Sequence, residues 1–213
     1  MQALVVSLIF SAPAGYLLGS INTAILVVRA LKHEDIRSHG SGNAGVTNVY
    51  RMFGRTTALC TILGDFVKAA LAVLLARNLF AALGAVPSFD PGYPAGLFVL
   101  LGHIYPVYFA FKGGKGGMPL IGILALVNLP LLGILAAIGL IVVLISRKMS
   151  LGSVVCSLVM PLAGFFLARA QQENALLITG FLGAYAMLVL ISHRSNIKRL
   201  LSGTENPLSN KSP

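Results

Sequence analysis

Charged residues are scarce in this chain of 213 residues, because Asp, Glu, Lys and Arg together account for only 10% of it. A water-soluble domain carries about a quarter charged residues, so the composition excludes an ordinary soluble domain. Hydrophobic residues make up 56% of the chain and form runs long enough to cross the hydrocarbon core of a bilayer. The sequence therefore predicts an all-α, polytopic membrane protein.

Acidic residues are the scarcer charged class, with 6 Asp and Glu against 16 Lys and Arg, for a net charge of +10. In a membrane protein such an excess usually reflects cytoplasmic loops that collect Lys and Arg. A second interpretation is that some of these cations bind an anionic substrate. No basic helix or basic patch interleaved with aromatic residues is present, so nucleic-acid binding is not expected.

Cysteine is nearly absent, and the two that occur, Cys60 and Cys156, both fall inside apolar runs. We expect them to be small buried hydrophobic residues, neither paired in a disulfide nor bound to a metal. No two histidines, cysteines or carboxylates have the spacing of a metal site, so the sequence predicts neither a bound metal nor another cofactor.

Six apolar runs divide the chain. They lie near residues 4–28, 56–76, 94–111, 117–146, 151–168 and 175–192. The first has no basic segment before it and is predicted to be a transmembrane span, not a cleaved signal peptide. The fourth is interrupted by "NLP" at 128–130, so it is either one long kinked helix or two short ones.

The distribution of basic residues favours two helices in the fourth run. Two helices there give seven transmembrane helices, with the N-terminus outside and the C-terminus cytoplasmic. Nearly all lysines and arginines then lie on the inner side, apart from Arg77 and Arg169 outside and Lys68 within a span. We expect one membrane domain over residues 1–205 and a disordered polar tail over 206–213.

The stretch "GSGNAGVTNVYR" combines glycines with hydroxyl, amide and guanidinium side chains. Glycine permits backbone conformations that let the chain approach a ligand closely. The polar groups suit a polyol that also carries a phosphate. An ordinary turn that leads into a helix is the alternative. The candidate ligand contacts are Ser41, Gly42, Asn43, Thr47, Asn48 and Arg51.

The stretch "FKGGKGG" at 111–117 resembles a phosphate-binding nest, because successive glycine N–H groups can point at one anion and a span begins there. It is not a Walker A loop. The alternative is a tight inner turn with lysines at the lipid headgroups. The candidate anion contacts are Lys112, Gly113, Gly114, Lys115 and Gly116.

Two further stretches carry polar groups at helical spacing. Asp65 and Lys68 lie three residues apart in or near the membrane, which favours a structural ion pair that also supports the inner loops, over a direct substrate contact. His193 and Asn196 lie one turn apart at the end of the last span, where they either bind a hydroxyl-bearing substrate or cap and anchor the helix. His103 is expected to be a packed or headgroup histidine.

Together these stretches resemble one family, the bacterial membrane-integral glycerol-3-phosphate acyltransferases that use acyl phosphate as donor. The resemblance rests on "YLLGSIN", "GSGNAGVTNVYR", "GDFVKA", "GHIYPVYFAFKGGKG", "SLGS" and "HRSNIKRLLSGTE", and it covers nearly the whole chain. One departure is Gly117-Met118-Pro119, where the family usually has Val-Ala-Thr.

The resemblance implies transfer of a fatty acyl group from acyl phosphate to the sn-1 hydroxyl of glycerol 3-phosphate, giving lysophosphatidic acid and phosphate, at the cytoplasmic side of the bacterial inner membrane. It also implies roles for individual residues. Ser41 and Arg51 would contact the glycerol phosphate, Lys115 and the glycine amides would hold phosphate, and the polar site would be completed by Ser153, His193 and Asn196.

The donor is a mixed anhydride with a good leaving group, so positioning and charge neutralisation would supply most of the catalysis. We expect direct attack by the glycerol hydroxyl. Its proton would pass to a phosphate oxygen of a substrate, with His193 as the alternative base. The expected partners are the two substrates, membrane lipid and an acyl-phosphate synthase. The rival hypothesis is a small transporter or channel for an organic phosphate, which would need a polar path to the outer face.

Overall fold

The computed structural model describes residues 2–84 and 89–207, and every regular element within those ranges is helical. The α-helices are Gln2–Ser20 (α1), Thr23–Lys32 (α2), Val46–Ala82 (α3), Gly92–Ile104 (α4), Gly117–Val127 (α5), Leu129–Ser146 (α6), Met149–Ala170 (α7), Ala175–Ser192 (α8) and Arg194–Leu201 (α9). Two short 3-10 helices, Ile36–Ser38 and Val107–Phe109, lie in the loops after α2 and α4. The predicted all-α class is confirmed.

The first apolar run contains a break that the sequence analysis did not predict. Asn22 caps the start of α2, and its side-chain oxygen accepts a hydrogen bond from the Ile25 amide at 3.1 Å. An asparagine that caps a helix in this way satisfies an amide that would otherwise have no partner. The run therefore consists of two helices joined at Ile21–Asn22.

Helix α3 begins earlier and ends later than the predicted span at 56–76. It starts at Val46, inside a stretch expected to be loop, and is interrupted at Gly54, where φ is 79°. That backbone conformation strongly favours glycine. The interruption separates two N-terminal turns from the long remainder of the helix. Cys60 on that remainder is exposed and Cys156 is half-buried, so the expectation that both are buried was wrong.

The fourth apolar run forms two helices, α5 and α6, divided at Asn128. Asn128 caps α6 by accepting from the Leu131 amide at 3.0 Å, and Pro130 lies in the first turn of α6, where proline is tolerated. Lys115, just before α5, and Ser150, just after α6, are linked through the side chains of Asn196 and Glu205. The chain therefore reverses direction between α5 and α6.

Five segments are long and apolar enough to cross a membrane: Ala12–Lys32, Val46–Ala82, Leu129–Ser146, Met149–Ala170 and Ala175–Ser192. Large apolar side chains stand exposed along their outer faces, among them Leu63 on α3, Leu144 on α6 and Phe166 on α7. An apolar surface of that extent suits contact with lipid. The protein is a multi-pass membrane protein, and its seven crossings remain a prediction.

A polar cluster fixes the end of the bundle opposite Lys115. Arg77 on α3 pairs with Asp90 and donates to the Leu126 carbonyl at 2.7 Å. Asp90 in turn accepts from the first amide of α4, and the Asn128 amide donates to the Tyr93 hydroxyl at 3.3 Å. These contacts join α3, α4, α5 and α6 far from the glycine-rich loops.

Candidate active site

A cavity of about 620 Å³ lies between the two glycine-rich stretches and the ends of α6, α7 and α8. Its mouth is lined by polar and charged side chains. Deeper in, apolar side chains from α5 and α6 form the walls, including Leu120, Leu124, Leu132 and Leu135. One cavity therefore offers a charged end and an apolar end.

The cavity gathers most of the candidate residues. The proposed catalytic set lines it in full: Ser41, Arg51, Lys115, His193 and Asn196. Of the proposed substrate-binding set, Asn43, Thr47, Asn48, Gly116 and Ser153 line it. Four of that set do not, namely Gly42, Lys112, Gly113 and Gly114. Lys112 is exposed, and Gly113 and Gly114 pack beneath the loop against α4.

The side chain of Asn48 forms hydrogen bonds that stabilise the first glycine-rich loop. Its side-chain amide donates to the carbonyls of His39 and Asn43 at 2.9 and 3.1 Å, and its side-chain oxygen accepts from the Ser41 amide at 3.1 Å. The side chain is also buried. Asn48 therefore holds the loop that presents Ser41, and its donors are used within the protein.

Two helix N-termini face the charged end of the cavity. Helix α3 begins after Gly45 and α5 after Gly116, and neither start has a side-chain cap. Residues at both starts line the cavity. Uncapped amides at the positive end of a helix dipole attract anions. Gly116 has φ 85°, a conformation that glycine adopts readily and that lets α5 begin directly after Lys115.

Lys115 lies at the centre of a hydrogen-bond chain. Its Nζ donates to the side-chain oxygen of Asn196, and its carbonyl accepts from the Ser192 hydroxyl at 3.0 Å. Asn196 donates in turn to Glu205 at 2.6 Å. The chain fixes the lysine in the cavity, between α5 and α9.

Glu205 is a candidate site residue that sequence reasoning missed. Its carboxylate accepts from Ser150 at 2.6 Å and from Arg199 at 2.8 Å, in addition to Asn196. Burial works in the opposite direction, but these hydrogen bonds and the Arg199 charge lower the pKa of Glu205 below its usual value. The carboxylate thus holds α7, α9 and the C-terminal segment together beside the cavity.

His193 is buried, and its ring geometry defines its tautomer. Nδ1 lies 2.8 Å from the Val189 carbonyl oxygen, which can only accept, so Nδ1 carries the proton. Nε2 then carries the lone pair of the neutral ring, and His193 lines the cavity. Burial lowers the pKa of His193, which keeps the imidazole neutral at physiological pH. The ring is therefore able to accept a proton.

Arg51 contacts a segment that was expected to be disordered. Its Nη2 donates to the Pro207 carbonyl at 2.6 Å and lies 3.4 Å from the Asn206 carbonyl. Its Nε is buried without a hydrogen-bond partner among the described residues. Asn206 and Pro207 belong to the tail that was predicted to be disordered, and its remainder, 208–213, lies outside the described residues, so the disorder of the tail stays a prediction.

The predicted ion pair of Asp65 and Lys68 is present in the buried interior. Lys68 Nζ lies 2.9 Å from Asp65 Oδ1, and each side chain is at most 5% exposed. Asp65 and His103 also line the cavity. His103 is buried against this pair, in agreement with the packed alternative for that histidine.

The chain is similar over almost its whole length to proteins of one activity. The profile of the glycerol-3-phosphate acyltransferase family matches residues 9–203. A glycerol-3-phosphate acyltransferase of Geobacter sulfurreducens is 43% identical, covering 93% of this chain and 96% of that protein. Another from Clostridioides difficile is 38% identical, covering 96% and 97%.

Solved structures agree with the sequence relatives. The crystal structure of PlsY, an integral membrane glycerol 3-phosphate acyltransferase, in its glycerol 3-phosphate form superimposes with a TM-score of 0.79 at 32% identity. That match covers 94% of this chain and 95% of the other. The lysophosphatidic acid form of PlsY gives a TM-score of 0.77 at 30% identity.

Proposed function

Since the chain belongs to the glycerol-3-phosphate acyltransferase family, we propose that its cavity is where an acyl group passes from acyl phosphate to the sn-1 hydroxyl of glycerol 3-phosphate. The protein is an acyltransferase that acts on glycerol 3-phosphate. The observation that carries the assignment of the site is the meeting of Lys115, Arg51 and His193 at the charged end of an otherwise apolar cavity.

The charged end would bind the phosphates. Lys115 and Arg51 supply formal positive charge, and the starts of α3 and α5 supply amide donors without a cap. Charge-assisted hydrogen bonds to phosphate are about twice as strong as those between neutral groups. Two phosphoryl groups, one on each substrate, would therefore be bound by groups drawn from both glycine-rich stretches.

The apolar end would bind the acyl chain. Ala136 and Leu140 on α6 both line the cavity and are exposed at the surface of the bundle, so the cavity has a side opening toward lipid. A long acyl chain could enter through this opening without crossing water. Burial of each methylene contributes about 0.8 kcal/mol, which makes such a wall an effective site for a fatty chain.

The reaction would need no covalent enzyme intermediate. The glycerol oxygen attacks the acyl carbonyl carbon, and the bond between that carbon and the phosphate oxygen breaks, so inorganic phosphate leaves with the bonding electron pair. The hydroxyl proton passes to a phosphate oxygen of a substrate or, alternatively, to Nε2 of His193. The free lone pair on Nε2 supports the second route.

We further propose a seven-crossing topology, with the N-terminus outside and the cavity at the cytoplasmic side of the bacterial inner membrane. The reversal between α5 and α6 supports it, as does the position of the Arg77–Asp90 cluster at the opposite end of the bundle. An acyl-phosphate synthase that delivers the donor to the basic face stays a prediction.

A direct assay tests the function against the transporter hypothesis. Purified protein in detergent is supplied with acyl phosphate and glycerol 3-phosphate, and lysophosphatidic acid is measured by mass spectrometry. An enzyme forms product without a sealed compartment, and inorganic phosphate should compete with glycerol 3-phosphate. Product that depends on acyl-CoA and not on acyl phosphate would overturn the assignment of the donor.

The pH dependence of kcat/KM follows from Lys115. Burial, with Arg199 and Arg51 nearby, lowers the pKa of Lys115 to about 8, against the attraction of Glu205. The lysine is charged below its pKa, so the anion-binding form is lost as the pH rises. We expect kcat/KM for glycerol 3-phosphate to fall as the pH rises through about 8.

The same profile tests the role of His193. If Nε2 is the base, kcat/KM should also fall on the acid side, at a pH below the usual pKa of a histidine side chain. The variant His193→Ala would then lose activity and lose that acid limb. An acid limb that persists unchanged in His193→Ala assigns the proton to a substrate phosphate instead.

Ala136→Phe is expected to shorten the acyl chains that the enzyme accepts. A ring at this position would occupy space in the apolar end and displace two or more methylenes, so kcat/KM for a ~16-carbon donor should fall about tenfold relative to a ~8-carbon donor. Ala137→Phe is the matched control, because Ala137 is exposed on the same helix but does not line the cavity. Equal effects of both variants on both donors would contradict the assignment.

A further inference from the structure

Three ionisable side chains are buried together beside the cavity, two of them, Asp65 and His103, line it, and the proposed reaction gives them no role. Asp65, Lys68 and His103 are only 1%, 4% and 2% exposed. Lys68 Nζ lies 2.9 Å from Asp65 Oδ1 and 3.0 Å from His103 Nδ1. Ionisable groups inside a membrane protein are expensive to bury and are usually retained for a function.

The contacts of Lys68 and Asp65 define the orientation of His103. His103 Nδ1 lies 3.0 Å from Lys68 Nζ and 3.5 Å from Asp65 Oδ1, so this edge of the ring faces the buried ion pair. The lysine is itself held by the carbonyls of Gly19 and Ile21, at 3.1 and 2.8 Å, where α1 meets α2. The imidazole is thus held in one orientation with its Nε2 edge away from Lys68.

The Nε2 edge of His103 lies directly against the second glycine-rich loop. A Cβ atom at Gly114 would lie 2.2 Å from His103 Nε2 and 2.7 Å from the Ala44 carbonyl of the first glycine-rich loop. The Gly114 amide also donates to the His103 carbonyl at 3.0 Å, and the Gly113 amide to the Ile104 carbonyl at 3.2 Å. The ring therefore fills the space below the loop, where the two glycine-rich stretches meet.

Asp65 and Thr23 complete the support. The Thr23 hydroxyl donates to Asp65 Oδ1 at 2.7 Å, and the Asn22 side-chain amide donates to the Ala44 carbonyl at 3.4 Å. The break between α1 and α2 is therefore connected both to the buried cluster and to the first loop. A change in the cluster would therefore alter the positions of both phosphate-binding stretches.

We propose that His103 is a positioning residue for the phosphate-binding loops, oriented by Lys68 and Asp65. The ring determines the position of Gly114, and therefore of Lys115, the next residue, relative to the start of α3. This inference rests on the proposed function in taking phosphate as the ligand of those loops. It predicts a loss of phosphate binding and, because Lys115 is displaced, a smaller loss in the rate of the acyl transfer step.

His103→Ala is expected to raise both KM for glycerol 3-phosphate and the inhibition constant of inorganic phosphate about tenfold or more, as removal of an orienting residue commonly does. The value of kcat should fall by less than KM rises, because the variant displaces Lys115 and does not remove its charge. The measurement is steady-state kinetics on the purified full-length chain, with the concentration of correctly folded protein determined separately.

Two conservative variants separate contact with the loop from contact with Lys68. The amide of His103→Gln reaches the position of Nε2, whereas that of His103→Asn reaches only the position of Nδ1. If the ring acts by supporting Gly114, His103→Gln should restore KM to within about threefold and His103→Asn should resemble His103→Ala. The reverse order would overturn the proposal. These variants also serve if His103→Ala fails to fold.

Asn128→Ala is the matched control, because Asn128 is buried and hydrogen-bonded at the opposite end of the bundle. It should lower the thermal unfolding temperature and leave KM unchanged. His103 would be merely structural, and the proposal overturned, if His103→Ala did the same.

A binding measurement keeps this proposal distinct from the proposed function. Inorganic phosphate alone should raise the unfolding temperature of the unaltered protein, and His103→Ala should need about tenfold more phosphate for half of that rise. If the two proteins differ in their phosphate midpoints in this way but no acyl transfer is detected, only the proposed function is rejected. Acyl transfer with an unchanged phosphate midpoint in His103→Ala, or no phosphate binding by the unaltered protein, would reject the positioning role.

Discussion

Replacing Lys115 with alanine is expected to lower kcat/KM for glycerol 3-phosphate by about 100- to 1,000-fold, the usual effect of removing one group that stabilises charge in a transition state. Among the described residues, Lys115 is the lysine that lines the cavity, and its Nζ is held there by Asn196. Its removal would leave phosphate charge uncompensated in a partly water-excluded space.

Both kinetic constants should respond to this substitution. Binding of glycerol 3-phosphate requires compensation of its phosphate, so KM should rise. The leaving phosphate gains negative charge as the anhydride bond breaks, so an interaction with Lys115 would strengthen in the transition state and its loss would lower kcat. Steady-state kinetics with each substrate varied in turn would measure the two effects separately.

Lys198→Ala is the matched control for Lys115→Ala. Lys198 is exposed on α9, belongs to the same basic face and does not line the cavity. Its removal takes away the same formal charge and should change kcat/KM by less than about threefold, because exposed charges are screened by water and salt. Comparable losses in both variants would mean that the face acts only through its overall charge.

The sequence made part of the site predictable because its groups lie in short segments. His193 and Asn196 are one helical turn apart, so their spacing alone places them on one side of the chain. Lys115 is flanked by glycines. At the edge of an apolar run, such a glycine-rich segment indicates an anion-binding loop or a tight turn. The break at Asn128 was likewise predictable, since Pro130 disfavours a helix that continues through it.

The remaining site residues could not be found from local pattern. Ser150 and Glu205 are joined by a hydrogen bond although 55 positions separate them in the chain. Only the packing of α7 against α8 and α9 brings them together. A signal did exist, because Glu205 is a lone acidic residue in an otherwise basic C-terminal region, and such a charge commonly has a partner.

The start of the helix near the site could not be predicted from the sequence for a different reason. The glycine- and asparagine-rich sequence before Arg51 is typical of a turn, yet α3 begins at Val46. Its first turns are held by Asn48, whose side-chain amide donates to the carbonyls of His39 and Asn43, which precede the helix. Tertiary hydrogen bonds outweigh weak local helix propensity here.

Arg51→Ala is expected to have an effect of the same order, a loss of about 100- to 1,000-fold in kcat/KM for glycerol 3-phosphate. Arg51 now donates to the neutral carbonyl of Pro207, and its buried Nε has no partner among the described residues. A phosphate oxygen is a charged acceptor and would form stronger hydrogen bonds with these donors. The guanidinium is therefore positioned to exchange a weak partner for a substrate.

The geometry of the guanidinium makes Arg51→Lys informative. Lysine keeps the charge but lacks the planar fork that binds two oxygens of one phosphate, so it should recover only part of the lost activity. Arg55→Ala is the control, because Arg55 is exposed one turn further along α3 and does not line the cavity. Full activity in Arg51→Lys would show that charge alone suffices, whereas near-normal kinetics in Arg51→Ala would reject any contact between this residue and the substrate phosphate. The second result would leave Lys115, Arg199 and the two helix starts as the groups that bind both phosphates.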